Sequence, residues 1–166
     1  MESKINPAIV DELNSKQTAD IIKALRKLRK SGKVSYLPFI FAVFESNSDE
    51  LLFSELEMFL CDIKDSKAIP YFLERIKAEK AGLKQIVTAC WSSGIDYSAH
   101  LEDFIELFLN SDLEVALEAY SVIEEWGVLS REEDQQKAVL KLKASSQDLE
   151  RTKRAMAETL IVMLTQ

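Results

Sequence analysis

The chain has 166 residues, of which 47% are apolar and 30% charged, with four Gly and three Pro; that is enough apolar content for a buried core and too much for a disordered chain. The formal net charge of −7 argues against general nucleic-acid binding, because neutralised phosphates supply most of that affinity. No apolar run approaches the roughly 20 residues that span a bilayer, and one histidine with two separated cysteines makes neither a zinc ligand set nor a disulfide framework. The polar N-terminal stretch lacks an apolar signal core. The expectation is a cytoplasmic protein without membrane partner, with Cys61 and Cys90 reduced and buried. Charge is unevenly spread: Lys23–Lys33 holds six cations and no acid, and Glu102–Asp134 holds eleven acids against Arg131 alone.

Residues 1–17 read as an arm with one short helix. Asn6 suits a cap, Pro7 a first helical position, and Ile9, Val10 and Leu13 an apolar side. Thr18–Ser31 reads as a helix with Ile21, Ile22, Leu25 and Leu28 inward and its cations outward, stopped by Gly32. Val34–Glu45 follows, with Pro38 near its first turn. Asn47-Ser48-Asp49 opens the next helix, whose inward stripe is Leu52, Leu56, Phe59, Leu60 and Ile63. Asp65-Ser66 then turns into a helix from Ala68 that contains Pro70. A third pair runs from about Gly82 to Ser93, closes at Gly94, and resumes from Asp96 or Ser98 to Leu109. The tripeptide Asn110-Ser111-Asp112 repeats the one at Asn47. Ser111 with Glu114 forms a capping-box pattern, and Val115, Ala119, Val122, Ile123 and Trp126 follow inward. Ser130 with Glu133 is a second such box. Residues 131–144 and 148–165 close the chain, as two helices or as one bent near Ser145-Ser146, with Leu149, Met156, Leu160 and Met163 as the last buried stripe.

A fixed period runs through this order. Leu37, Ile40, Phe41 and Phe44 recur 32 residues later as Ile69, Phe72, Leu73 and Ile76. They recur again as Leu101, Phe104, Ile105 and Phe108. Each set falls at i, i+3, i+4 and i+7, one face of a helix. Such a ladder is the signature of a helical repeat array in which each unit buries its face against the next. The following rungs, Glu133, Gln136, Lys137 and Leu140, are mostly polar, as expected where an array ends.

The Pro-containing second helix, in Asp65-Ser66-Lys67-Ala68-Ile69-Pro70-Tyr71-Phe72-Leu73 and in Tyr36-Leu37-Pro38-Phe39-Ile40, resembles the short HEAT-like repeat of the bilin-lyase type. The resemblance covers about residues 18–127. It implies an all-α fold, a right-handed α-α superhelix (HEAT-like solenoid) of about four helix pairs with a C-terminal capping helix. The arm 1–17 would precede one solenoid domain, 18–166, with repeats at about 18–46, 47–79, 80–109 and 110–144 and a cap at 145–166. The sequence departs from the pattern where Leu51-Leu52 and Val115-Ala116 replace the family's Val-Arg pair, and where Glu102 stands in place of Pro.

Nothing matches a phosphate-cradling loop, a nucleophile elbow or a His-Glu metal helix. No catalytic residue, metal ligand or cofactor is therefore assigned. His100 reads as a partly exposed first-turn residue and Trp91 as core. Glu102, Asp103 and Glu106 read as a solvated face, with an acid–base or cation site as the alternative. By the family resemblance, second helices line a concave surface. The residues of that row are Phe39, then Tyr71, Glu74 and Arg75, then Asp103 and Glu106, running from apolar to acidic. The leading expectation is a non-catalytic interaction module that binds a protein or peptide with a basic segment in this groove. The alternatives are a HEAT-like enzyme of the DNA glycosylase or lyase type, for which Trp91, Asp96 and Glu102 are the candidates, and a self-associating structural protein. An open row of Phe39, Ala42 and Val43 would need a cover, and the tethered arm with Ile9, Val10 and Leu13 is the nearest one.

Overall fold

The computed structural model describes residues 5–29, 34–78 and 81–166. Among them are ten α-helices and no strand: α1 (Pro7–Leu13), α2 (Thr18–Arg29), α3 (Leu37–Ser46), α4 (Glu50–Cys61), α5 (Ile69–Lys77), α6 (Leu83–Ser92), α7 (Leu101–Asn110), α8 (Leu113–Trp126), α9 (Glu132–Ser145) and α10 (Arg151–Leu164). The expected stop at Ser31 and Gly32 lies outside the described residues. The chain forms two compact units, Met1–Ile95 and Asp96–Gln166. In the first, α1 packs on α2 and α3, α2 on α4, and α6 on both α4 and α5. In the second, α7 packs on α8 and α9, and α10 on α8 and α9.

The 32-residue ladder is the core. Of its twelve side chains only Ile69 is half-buried, and the other eleven are buried. The rings of Phe41 and Phe72 meet at 6.0 Å between centroids. Ahead of each of these helices stands a 3-10 turn, at Val34–Tyr36, Ser66–Ala68 and Ser98–His100, at the same 32-residue spacing. The tight turn leaves Pro38 and Pro70 in the first two positions of α3 and α5, where a missing N–H costs nothing.

In α9 the stripe shifts instead of ending. Ala138, Val139 and Leu142 are buried and Leu140 is exposed. Together with Gln135 they stand 34 residues beyond the α7 rungs, two more than the period. Gln135 occupies the rung position, and its amide nitrogen donates to the carbonyls of Gly127, Val128 and Ser130 at 3.0, 3.0 and 3.1 Å. It thereby joins the end of the 3-10 turn Gly127–Leu129 to α9, adding to the Ser130 amide that the Gly127 carbonyl already accepts.

The repeated tripeptide does one job twice. Asn47 and Asn110 each donate from the side-chain amide to a carbonyl four residues back, Val43 and Glu106, at 2.9 Å. Asp49 and Asp112 then open the next helix, accepting from Leu51 and Leu52 and from Val115. The Ser111–Glu114 capping box does not form, because Asp112 takes the cap position. The Ser130–Glu133 box does not form either. The Ser130 hydroxyl donates instead to the carbonyl of Ser98 at 2.7 Å, and α9 starts two residues later without a side-chain cap.

Other expectations also change. Trp91 is exposed rather than core. The last two helices are separate, parted by a 3-10 turn at Ser146–Asp148. The buried stripe of α10 is Lys153, Ala157, Leu160 and Leu164, with Leu149, Met156 and Met163 half-buried. The arm does form a helix, capped by Asn6 and tied by the Asn6 amide to the Tyr36 hydroxyl at 2.6 Å. Val43 is buried, Phe39 half-buried and only Ala42 exposed. A helix as apolar all round as α3 is buried on more than one side, and α1 packs against it.

Gly82 precedes α6 with φ +79, and a Cβ there would meet the Phe44 ring at 2.5 Å. Gly82→Ala therefore adds left-handed strain to a clash with a buried ring. The expected loss is about 2–4 kcal/mol in chemical denaturation.

Lys153 is buried with its ammonium 2.9 Å from the carbonyls of Leu109 and Ser111, at the C-terminal end of α7, and 5.6 Å over the Phe108 ring. The negative end of the helix dipole favours a cation there, but burial pushes the Lys153 pKa below its ordinary 10.5. Between the lowered folded value and 10.5 the unfolded chain binds more protons, so stability rises with pH across that window. The neutral amine still has two N–H groups for the two carbonyls. Lys153→Met should remove this rise from the pH profile of the denaturation midpoint. It should also cost about 1–3 kcal/mol through the carbonyls left unserved.

Candidate functional site

In the first unit the ladder turns one face of α3 and α5 inward and leaves another to solvent. Pro38, Ala42 and Glu45 share that outer face of α3 at i, i+4 and i+7. Tyr71, Glu74 and Arg75 do so on α5 at i, i+3 and i+4. With Phe41 at the floor they enclose a cleft of about 310 Å³, at the lower end of ligand-pocket sizes.

Arg75 organises its charge. One guanidinium nitrogen lies 2.5 Å from a Glu45 carboxylate oxygen, and the other donates to the Ala81 carbonyl at 3.2 Å. The guanidinium carbon sits 5.4 Å from the centre of the Phe41 ring, a cation–π distance. The side chain is only 11% exposed, and its Nε is buried without a hydrogen-bond partner among the described residues. Arg75 is thus a wall of the cleft rather than a cation offered to a ligand. The charge within reach is carboxylate: Glu74, which is exposed, and the exposed part of Glu45. Such a site favours an apolar group with a cation beside it.

The structure brings Tyr71, Glu74 and Arg75 together as the sequence row proposed. Phe39 does not line the cleft; its ring packs 6.4 Å from that of Tyr36. Of the residues that do, Pro38, Ala42 and Glu45 form a stripe at i, i+4 and i+7 beside the ladder, and Phe41 belongs to the ladder itself. Asp103 and Glu106 belong to α7 of the second unit. Asp103 lies 3.6 Å from His100 Nδ1, and Glu106 is held by Lys141, which also lies 3.9 Å from Glu102. Lys141 therefore already answers Glu102 and Glu106 of this acidic row.

The candidates for chemistry have structural partners. Asp96 accepts from the Ser98 amide at 2.8 Å, and its bonds to Ser98 hold its carboxyl below the usual range. Cys61 is half-buried rather than buried. Its sulfur accepts from the Ser92 hydroxyl at 2.9 Å, and burial pushes its thiol pKa up, away from thiolate reactivity. Neither cysteine is in a disulfide. Among the described residues no group of three or more His, Cys, Asp or Glu is placed to hold a metal ion, and no helix is long and apolar enough to cross a membrane.

No protein-family model, curated protein or solved structure matches the chain.

Glu45→Gln leaves the nearly buried Arg75 without a carboxylate beside it. The expected loss is about 1 kcal/mol, between the values for exposed and buried pairs because Glu45 is half open. Glu74→Gln, on an exposed side chain, should stay within about 0.5 kcal/mol in the same denaturation series.

Proposed function

We propose that the protein is a non-catalytic, cytoplasmic interaction module of HEAT-like solenoid build. Its first unit takes a peptide or protein segment that presents an apolar side chain next to a Lys or Arg. The observation that carries the reading is the α3–α5 cleft, where an apolar floor of Phe41, Pro38 and Ala42 is bordered by Tyr71 and by carboxylates, with Arg75, the one cation among its described lining residues, already engaged. The apolar side chain would rest on Ala42 and Tyr71, and the cation would reach Glu74. The repeat reading is supported by the buried ladder, by the three 3-10 turns at one spacing, and by the Asn-Ser-Asp tripeptide that ends and starts helices in the same way twice.

Selection of displayed random peptides on the full-length chain tests this. Enriched sequences should pair an apolar residue with Lys or Arg. By fluorescence anisotropy, Tyr71→Ser and Glu74→Lys should each weaken them about tenfold, and salt should weaken the wild-type complex. Leu51→Ser, on an exposed side chain of α4, should leave affinity unchanged. Failure to enrich such peptides, or wild-type binding by both cleft variants, rejects the reading.

A further inference from the structure

We propose that the second unit carries a docking cleft for a basic amphipathic helix of a partner protein. The cleft lies where the turn Gly127–Leu129 meets α9 and the last turn of α10. It measures about 740 Å³ and is lined by Val128, Val139, Leu140 and Leu164, with Glu132 and Gln135 among its polar residues. That size is within the range of ligand pockets. It shares no residue with the α3–α5 cleft.

Its polar residues surround aliphatic side chains that stand open to solvent. Val128 is 50% exposed and Leu140 68%, and the neighbouring Leu129 is 63% exposed. The two-residue shift of the α9 stripe is what puts Leu140 outside: Ala138, Val139 and Leu142 take the inward positions. Terminal units of repeat arrays normally turn a polar face to water. Clustered open aliphatics mark a contact surface instead.

Charge selects the occupant. Residues 96–166 carry 7 Lys and Arg against 15 Asp and Glu, a net −8, whereas residues 1–95 carry 14 against 13. The stretch Glu124–Asp134, which supplies Val128 and Glu132 to the lining, holds five acids against Arg131. The Arg131 guanidinium is tied to Asp134 at 2.7 Å, and Lys137 to Glu133 at 2.7 Å, while Glu132 on the rim of the cleft receives, among the described residues, only the Gln136 amide, at 3.1 Å. No residue lining the cleft is a cation. A second copy joined through the same face would set these acids against themselves. A neutral apolar ligand would leave the Glu132 carboxylate on the rim without a cation. A helix with aliphatic side chains at i, i+3 or i+4 and i+7 and with Lys or Arg on its flanks satisfies both the floor and the rim.

The probe is a labelled synthetic amphipathic helix of about 18 residues built from Leu and Lys, with a Leu/Glu peptide of the same apolar face as its control. Fluorescence anisotropy with the full chain carrying Glu74→Lys, which removes the α3–α5 cleft as a competing site for the Lys side chains, should show binding of the Leu/Lys peptide and at least about tenfold weaker binding of the Leu/Glu one, and the cleft variants are compared in that background. Leu140→Ser and Val128→Ser change exposed side chains and should keep the wild-type melting curve. Each should weaken the Leu/Lys peptide about tenfold, and Glu132→Gln should weaken it in the same direction. Glu150→Lys, at the opposite end of α10, and Leu51→Ser, in the first unit, should leave affinity unchanged. If these two controls weaken binding as much as the cleft variants, attraction is only overall charge and the proposal falls. Wild-type affinity in both Leu140→Ser and Val128→Ser also overturns it. So does a wild-type dimer in sedimentation that Leu140→Ser dissolves, since a second copy would then be the occupant.

Discussion

Helices of nine or ten residues do not hold in water on their own propensity, and α3, α5 and α7 are of that length. Their existence rests on burying one apolar face each. Leu37, Ile40, Phe41 and Phe44 on α3, and their counterparts 32 and 64 residues on, supply that face. Each fully buried side chain of this kind is worth roughly 1.5–3 kcal/mol, far more than any cap or surface ion pair in the molecule. Other features accommodate the ladder. Gly82 is glycine because the Phe44 ring occupies the space a Cβ would need. The 3-10 turns set the prolines of α3 and α5 at the helix start, where they do no harm.

Short helices also mean many helix ends, and each end exposes backbone groups that need partners. The chain meets that need with few residue types. Asn closes a helix and Asp opens the next at 47–49 and at 110–112. Gln135 serves three carbonyls around one turn. Lys64 reaches the carbonyls of Cys61 and Ser93, and Lys153 those of Leu109 and Ser111. Burying a lysine is costly, and it is tolerated at Lys153 because the end of a helix supplies both acceptors and a favourable dipole.

The two units differ in what they present to a partner. In the first, the balance of charge is close to even, and Arg75 is drawn into the wall of a small cleft by Glu45 and the Phe41 ring. In the second, acids outnumber cations about twofold. Some of those acids are occupied at home, Glu106 by Lys141 and Glu133 by Lys137. The stretch on either side of Gly127–Leu129 still carries more acids than cations, with Asp134 tied to Arg131, beside the aliphatic side chains that the shift in α9 leaves open. Apolar surface supplies affinity, and the surrounding charge decides which partner reaches it.

The sequence by itself determined the all-helical class, the inward face of the central helices and many helix boundaries. Those follow from local periodicity and from cap residues, which act over one or two turns. It also singled out Tyr71, Glu74 and Arg75, since positions three and four apart share a face wherever the helix lies. Only the tertiary structure decided which polar groups are already spoken for. Ser130 is spent on Ser98, 32 residues away, Glu106 on Lys141, and Lys153 on the end of α7. Such pairings join residues far apart in the chain, and a helical pattern carries no record of them. The same holds for the shift in α9, where a two-residue change of register moved Leu140 from a predicted rung to the surface. The choice lay with the packing of α9 against α7 and α10, because burying Ala138, Val139 and Leu142 removes more apolar surface from water than the polar rungs at the old period could.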